Sequence, residues 1–556
     1  MKTSSTSPSL ALLISAFVIQ HSAFVIAQGG SLTPPGAPAP TMKTLDQLEP
    51  RTPISSLPIT ITTTGSYYLT GNLVGIAGQN GITISADHVT LDLGGFELSG
   101  GAVGLSGIRV NNANATIRNG TLRAWTSSGM FVTGSATEMH VENVRAIGNT
   151  GIGIRTGANG TVIHCEARAN TTAGFFTGAS SKITGCVAAS QTAEGFNVSS
   201  NSILRDCLAA GNGGGGFVSA AGCSFAQCVA SGNTGIGFSM QDNVKLSECS
   251  AISNTTDGFT SLSNGVYQTC IARSNRAGFS TSTASALTNC TAQANQDGFN
   301  HGDNTTLTNC SALSNTSIGF FLGKAASLTG CSAQGNGPGT IASSAFTVGV
   351  GSTLLNCAAT ANSVAAGFVA GAGSTLTNCA ARENTSSATT SHGFNIGAQC
   401  VVIGCSATGN TSSNATLSSV TGAGFQVPDG ATLVNCNASG NKGDGFRIVS
   451  NVRITGCTAN GNGSGTGDGA GIHAATNLNR IEGNSVIAND RGIDVDGIGN
   501  VIIGNTASGN TTNYDIGVNN RYGAIVDISA AGGAAVAGSS AASTLTSTDP
   551  WANFTH

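Results

Sequence analysis

The chain has 556 residues, of which only 9% are Asp, Glu, Lys or Arg, with a net charge of −4, 79 glycines and 16 cysteines. So thin and slightly negative a charge excludes a basic nucleic-acid surface, and the length would ordinarily mean three or four domains. A repeat runs through most of the sequence, however, and one elongated repeat domain accounts for that length.

In chain order, Lys2 precedes an apolar run, Leu10 to Ile19, and Ala23-Phe24-Val25-Ile26-Ala27 then places small residues where a signal peptidase reads. Residues 1–27 are expected to be a secretory signal, too short for a membrane span, and no later stretch is long enough for one. The expectation is an exported protein, secreted or held at the cell surface. Residues 28–58 hold most of the 11 prolines and read as a linker, with Leu45 and Leu48 in a turn that caps the repeat.

From residue 59 to 528 the template L-x-N-C-x-A-x-x-N-x-x-x-G-F recurs, typified by ALTNCTAQANQDGF from Ala286 to Phe299. Cysteines mark the rungs from Cys165 to Cys457, mostly 20 to 22 residues apart. Three residues before each stands a large apolar side chain (Ile183, Leu204, Phe225), and ten after it usually a phenylalanine (Phe175, Phe196, Phe217). Apolar and polar residues alternate in runs too short for a helix, which gives two or three strands per rung. Five residues after each cysteine comes an amide, from Asn170 to Asn462. This column is expected to turn a corner in the left-handed conformation and to hydrogen-bond from rung to rung. One leucine per repeat is too few for a leucine-rich repeat. The prediction is all-β: a single-stranded parallel β-helix, right-handed by the crossover rule, with about nineteen rungs of 20–31 residues. Gly94, Gly120, Val144, Asn484 and Asn505 stand for the cysteine in the outer rungs.

Stacked cysteines should have Cβ atoms about 4.8 Å apart, beyond the ~4.5 Å limit for a bridge, which favours free thiols. Cys223 and Cys400 lie off the ladder and would reach Cys228 and Cys405 only across a sharp bend. No tetrahedral metal cluster is visible. Residues 529–556 are rich in Ala, Gly and Ser and end in DPWANF, whose Trp551 and Phe554 are expected to dock on the coil.

The repeats, together with VTLDLGGFELSG at residues 89–100, resemble those of right-handed parallel β-helix proteins of the pectate-lyase-like superfamily over roughly residues 59–528. LTPPGAPAPTMKTLDQLEPRTPI and DPWANF resemble segments of secreted bacterial β-helix proteins. The resemblance implies an extracytoplasmic place and a polysaccharide as the first ligand class, and it carries no catalytic residues over.

Two charged groups stand out. Arg118, Arg123, Glu142, Arg145, His164, Glu166 and Arg168 occupy three adjacent rungs and are expected to neutralise one another. In the second group, four long rungs place extra residues between the corner amide and the following Phe or Ile, at Gly337–Ala345, Thr385–Gly393, Thr411–Gly424 and Gly463–Gly471. Insertions at one corner build a face. The outward positions beside them read Asn395, Gln426, Arg447, His473 and Asp494, with Asp496 two residues on. These six are the expected ligand-binding residues. Asp494 and Asp496 at i, i+2 should lie about 7 Å apart, within the range of inverting glycosidases, with Arg447 or His473 as base or clamp. Against catalysis, no third aspartate shows in the neighbouring columns and no acidic cluster for calcium, which would matter only in a lyase. Neither a cofactor nor a metal is expected. The partner is expected to be a glycan or cell-surface polymer, with a lyase or glycoside hydrolase and a structural spacer as alternatives.

Overall fold

The computed structural model describes residues 50–134, 136–337, 344–386, 392–412, 422–463, 469–527 and 548–556. The expected signal segment and the linker up to residue 49 lie outside them. From Arg51 onward the chain is one unit, all β, a right-handed parallel β-helix.

A central rung has three short strands, for example Lys182–Thr184, Val187–Ala189 and Phe196–Val198. Each pairs in parallel with its counterpart one rung on: Ile183 with Leu204, Ala188 with Ala209, Phe196 with Phe217. Three stacks of strands thus enclose one apolar interior. The third stack has 21 strands, from Ile59–Ile61 to Thr512–Ile516, where nineteen rungs were expected. The two extra strands, Ile59–Ile61 and Ile82–Ile84, both precede the first template rung. Thr52–Ile54, expected in the linker, already pairs with Tyr67–Leu69.

Inside the third stack, the rings from Phe175 to Phe446 stack with centroids 4.6 to 5.0 Å apart. This is the strand spacing, so side chains repeat with the backbone.

The corners are turned one residue earlier than expected. Left-handed φ falls on Ser180, Gly185 and Ser190 in one rung and on Asn201, Asp206 and Gly211 in the next, and the ladder amides Asn170, Asn212 and Asn254 are not left-handed. The bend at the preceding residue leaves the ladder residue's N–H without a strand partner, and the amide of the next rung supplies one. Both Asn233 N (3.1 Å) and Asn233 Nδ2 (2.9 Å) donate to Asn254 Oδ1, while Asn254 Nδ2 donates to Ala230 O at 3.1 Å. The glycine of the G-F motif makes room for this ladder. A Cβ on Gly195 would lie 2.8 Å from both Asn212 Nδ2 and Gly216 O.

All sixteen cysteines are buried and unbridged. The ladder thiols fill a second corner, where they also replace an amide. Cys165 N donates to Cys186 Sγ at 3.4 Å, as Cys457 N does to Asn484 Oδ1 at 2.8 Å. They act as small apolar fillers with a weak polar function. Cys223 and Cys400 fill the third corner, in register with Ser202 and Ser374, and burial pushes both thiols up.

At the C-terminal end, Asn553–Thr555 pairs with Thr506–Ser508 and Ile525–Asp527. Asn553 Oδ1 accepts from Asn505 N at 3.0 Å and so closes an amide ladder. The DPWANF segment therefore docks as a strand, although Trp551 stays 54% exposed.

Candidate functional site

The expected column exists. On the outward side of the third stack, Asn395, Gln426, Arg447, His473 and Asp494 occupy consecutive rungs in register. It does not stop there: Asp494 pairs with Asp515 one rung on, so a third aspartate does stand in line, against the expectation. The column changes character along its length. Asn395 is exposed, Gln426 and Arg447 are half-buried, and His473 and Asp494 are buried at 6% and 3% exposure.

The insertions beside it lie largely outside the described residues, at 338–343, 387–391, 413–421 and 464–468. Their described bases remain ordered against the coil. Thr385–Ser386 pairs with Thr411–Ser412, and Ser363 bridges to Thr385. The amide ladder passes the longest of these rungs undisturbed, with Asn410 Nδ2 donating to Asn441 Oδ1 at 2.9 Å across 31 residues.

His473 is the centre of a charge network. Its Nδ1–H donates to Asp444 Oδ2 and its Nε2–H to Asp496 Oδ2, both at 3.0 Å. Asp444 is fully buried, and its other oxygen accepts the Ala470 N–H at 2.8 Å. Burial opposes charge on the imidazole, but the hydrogen bond and charge of Asp444, with Asp496 and Asp494, outweigh it and push His473 up to about 9. Below that pH the ring is an imidazolium. Arg447 Nη1 comes within 3.2 Å of the same Nδ1; both are then donors, and the contact is held by the shared Asp444 carboxylate, 3.7 Å from Arg447. Arg491 Nη1 completes the group, 2.9 Å from Asp494 and 3.5 Å from Asp515. Burial pushes the carboxyl of Asp494 up, against the lowering effect of His473 and Arg491.

This geometry corrects two expectations. Ligand atoms of His473, Asp494 and Asp496 all lie within 4.8 Å of one another, closer than the ~6.5–9.5 Å separation an inverting glycosidase needs for its water. His473 and Asp494 face outward yet are buried in ion pairs, the first with Asp444 and Asp496 and the second with Arg491, so they are not free surface groups. Among the described residues, His473, Asp494 and Asp496 bring their atoms near enough together to hold a cation, but both ring nitrogens of His473 carry protons toward carboxylates. The imidazolium and two guanidinium groups supply the positive charge there. Chemically the cluster sets a buried imidazolium among carboxylates, with the Asp494 carboxyl pushed up by its burial.

Asp444, Arg491 and Asp515 were not anticipated, nor was His392, buried near Arg447 and pushed down to about 4 by burial and then by the Arg447 charge. Among the described residues, His392 Nδ1 and Gln426 Oε1 have no hydrogen-bond partner. The signals were faint: KGDGF for Asp444, and NYDI repeating IDV one rung later for Asp515. The other charged group neutralises itself only in part: Arg145, Arg168 and Glu166 pair within it, whereas Arg118 and Arg123 pair with Asp92 and Glu97 outside it and Glu142 with His140. Arg145 and Arg168 lie 2.9 and 2.8 Å from Glu166, Arg118 lies 3.2 Å from Asp92, and Arg123 lies 3.0 Å from Glu97.

The family model described as "Right handed beta helix region" matches residues 106–236. No curated protein matches the chain by sequence. Among solved structures, the A-module of the Azotobacter vinelandii mannuronan C-5 epimerase AlgE6 is 12% identical over 80% of this chain and 90% of that one, with a TM-score of 0.27. Pectate lyase Pel9A is 17% identical over 43% and 68%, with a TM-score of 0.25. The PL6-family alginate lyase AlyGC is 10% identical over 85% and 96%, with a TM-score of 0.26. At such superposition none of them informs the chemistry of the His473 network. No helix among the described residues is long and apolar enough to cross a membrane. The three-sided stack of parallel strands and the family match inside it make the chain a right-handed parallel β-helix protein.

Proposed function

We infer that this protein is an exported β-helix that binds an extracellular or cell-surface polysaccharide along the third stack without cleaving it. The carrying observation is the in-register column Asn395, Gln426, Arg447 leading into the His473 network. It presents an exposed amide, a half-buried amide and a half-buried guanidinium at the ~4.8 Å strand spacing. Sugar hydroxyls both donate and accept, and a linear chain laid along the coil meets these groups in turn. In the sequence the insertions fall at the adjoining corner, the position where solenoids carry binding loops.

A panel of extracellular polysaccharides, read by affinity electrophoresis and by product analysis, tests this. Asn395→Ala, Gln426→Ala and Arg447→Ala should each weaken retention by about 2- to 10-fold, the effect of one lost hydrogen bond, with non-additive combinations because the groups are neighbours. Arg145→Ala and Glu166→Ala should leave retention unchanged. Retention of a neutral polysaccharide that survives all three column variants would refute the reading.

One observation favours a second reading, that of a lyase or glycoside hydrolase. Asp494, pushed up beside an imidazolium, is the kind of perturbed pair that active sites contain. Release of oligosaccharides that Asp494→Asn abolishes would replace the binding-only reading with that one. Calcium would enter only there, at Asp494 and Asp496, after His473 had lost its proton.

A further inference from the structure

The outward column that ends in the His473 network begins with a different chemistry. Near the N-terminal end it runs Thr60, Thr83, Arg109, Phe131, Arg155, Phe176, Asn197 in continuous register. Guanidinium and ring alternate. Arg109 lies 5.5 Å from the Phe131 centroid, and Arg155 lies 5.2 Å from that ring and 4.8 Å from the ring of Phe176. All four side chains are half-buried. A guanidinium stacked on rings has its plane fixed and its apolar faces covered, so its N–H edge is left to donate. Arg109 Nε gives one hydrogen bond to Asn111 Oδ1 at 3.2 Å. Among the described residues neither Arg109 nor Arg155 has a carboxylate partner, whereas Arg118, Arg123, Arg145 and Arg168 in the neighbouring stacks each hold one.

We propose that Arg109 and Arg155, with the rings of Phe131 and Phe176, form a second binding site, for an acidic polysaccharide whose carboxylate or sulfate groups they receive. Two pre-oriented guanidinium groups two rungs apart, about 9.6 Å, address a chain with recurring charge rather than one small anion. Each planar fork matches the two oxygens of such a group. The uncovered parts of the two rings pack against sugar C–H groups, and Thr83 and Asn197 bracket the stripe with a hydroxyl and an amide for sugar hydroxyls. The site shares no residue with the Asn395 to Asp515 end of the column, so it stands or falls separately from the function proposed above.

The test uses the full chain and dextrans of one length in three forms: neutral, carboxymethylated and sulfated. Affinity electrophoresis at several salt concentrations should show retention by one or both charged forms and little by the neutral one; which charged form binds tighter identifies the anion. The double variant Arg109→Ala/Arg155→Ala should lose about 10-fold or more, the effect of losing charge-assisted hydrogen bonds, with a shallower salt dependence. Arg109→Lys/Arg155→Lys keeps the charge but not the stacked fork and should fall in between. Arg145→Ala, in a neighbouring stack and outside both sites, should leave this retention unchanged. Thermal melting of each variant checks the fold, and if the alanine pair melts early the lysine pair decides. Wild-type retention of both charged dextrans by the alanine pair would overturn the proposal. So would equal retention of neutral dextran, or tighter binding of a single-stranded oligonucleotide of matched charge that the alanine pair loses.

Discussion

His473 keeps its proton because two carboxylates face its two nitrogens, and that fixes how stability should respond to pH. Its folded value, about 9, lies above the ordinary 6.5. The stabilisation is therefore fully present below about pH 6.5 and is lost as pH rises through about 9, amounting to roughly 1–3 kcal/mol. Unfolding midpoints of the wild type should fall across that window, while those of His473→Asn should be lower at pH 6 and nearly flat up to pH 9. Equal slopes in the two proteins would mean that the imidazole does not hold the proton. Removing His473 leaves Asp444 buried without its main partner, a loss of the kind that costs about 3–5 kcal/mol, so alanine at 473 is a poor probe of binding and Asn395 or Gln426 a better one. Part of this network was legible in the sequence. Arg447, His473 and Asp494 share the register that the G-F motif provides. Asp444 and Arg491 did not show because they lie two residues before the inward Phe or Ile, at the wide corner where strand alternation breaks and parity no longer tells inward from outward. Asp515 was hidden because its marker residue changes from Phe or Ile to Tyr514.

Among the elements, the amide ladder and the glycine beside it are one device. Asn254 accepts two hydrogen bonds from Asn233 and donates to Ala230 O and Asn275 Oδ1. Asn254→Ala should cost about 2–4 kcal/mol, since buried donors are left without partners, seen as a lower urea midpoint. Gly237→Ala should be comparably harmful for a different reason. Its new Cβ would sit 2.7 Å from Gly258 O and 2.8 Å from Asn254 Nδ2. A melting temperature unchanged by either substitution would mean that the ladder does not bind the rungs together. The ladder was readable from sequence because identical residues recur at one period. Where the corner bends was not, because Ala, Ser, Glu and Gly all take the left-handed position, and the restraint comes from the stack rather than from local preference.

At the scale of the molecule, each rung touches only its neighbours, so stability accumulates along the stack and the ends are where it opens. The strand Asn553–Thr555 covers one end, and deleting residues 548–556 exposes Asn505 and the edge of Thr506–Ser508. The truncated chain should melt lower and self-associate, which light scattering would show, since an uncovered strand edge pairs with others; a monomeric variant with the wild-type midpoint would contradict this. The whole architecture was legible because a period of 20 to 22 residues admits few solutions, whereas the first rungs, which precede the template, were not. The wide corner has an implication for protein engineering. Rungs that differ by eleven residues, 20 between Asn275 and Asn295 and 31 between Asn410 and Asn441, close with the same amide contact, 3.2 and 2.9 Å. Lengthening a loop costs only slowly with its length. Foreign peptides grafted between the corner amide and the G-F pair of a short rung should thus be carried without a register shift, which makes the coil a ready display scaffold with many equivalent ports along one edge.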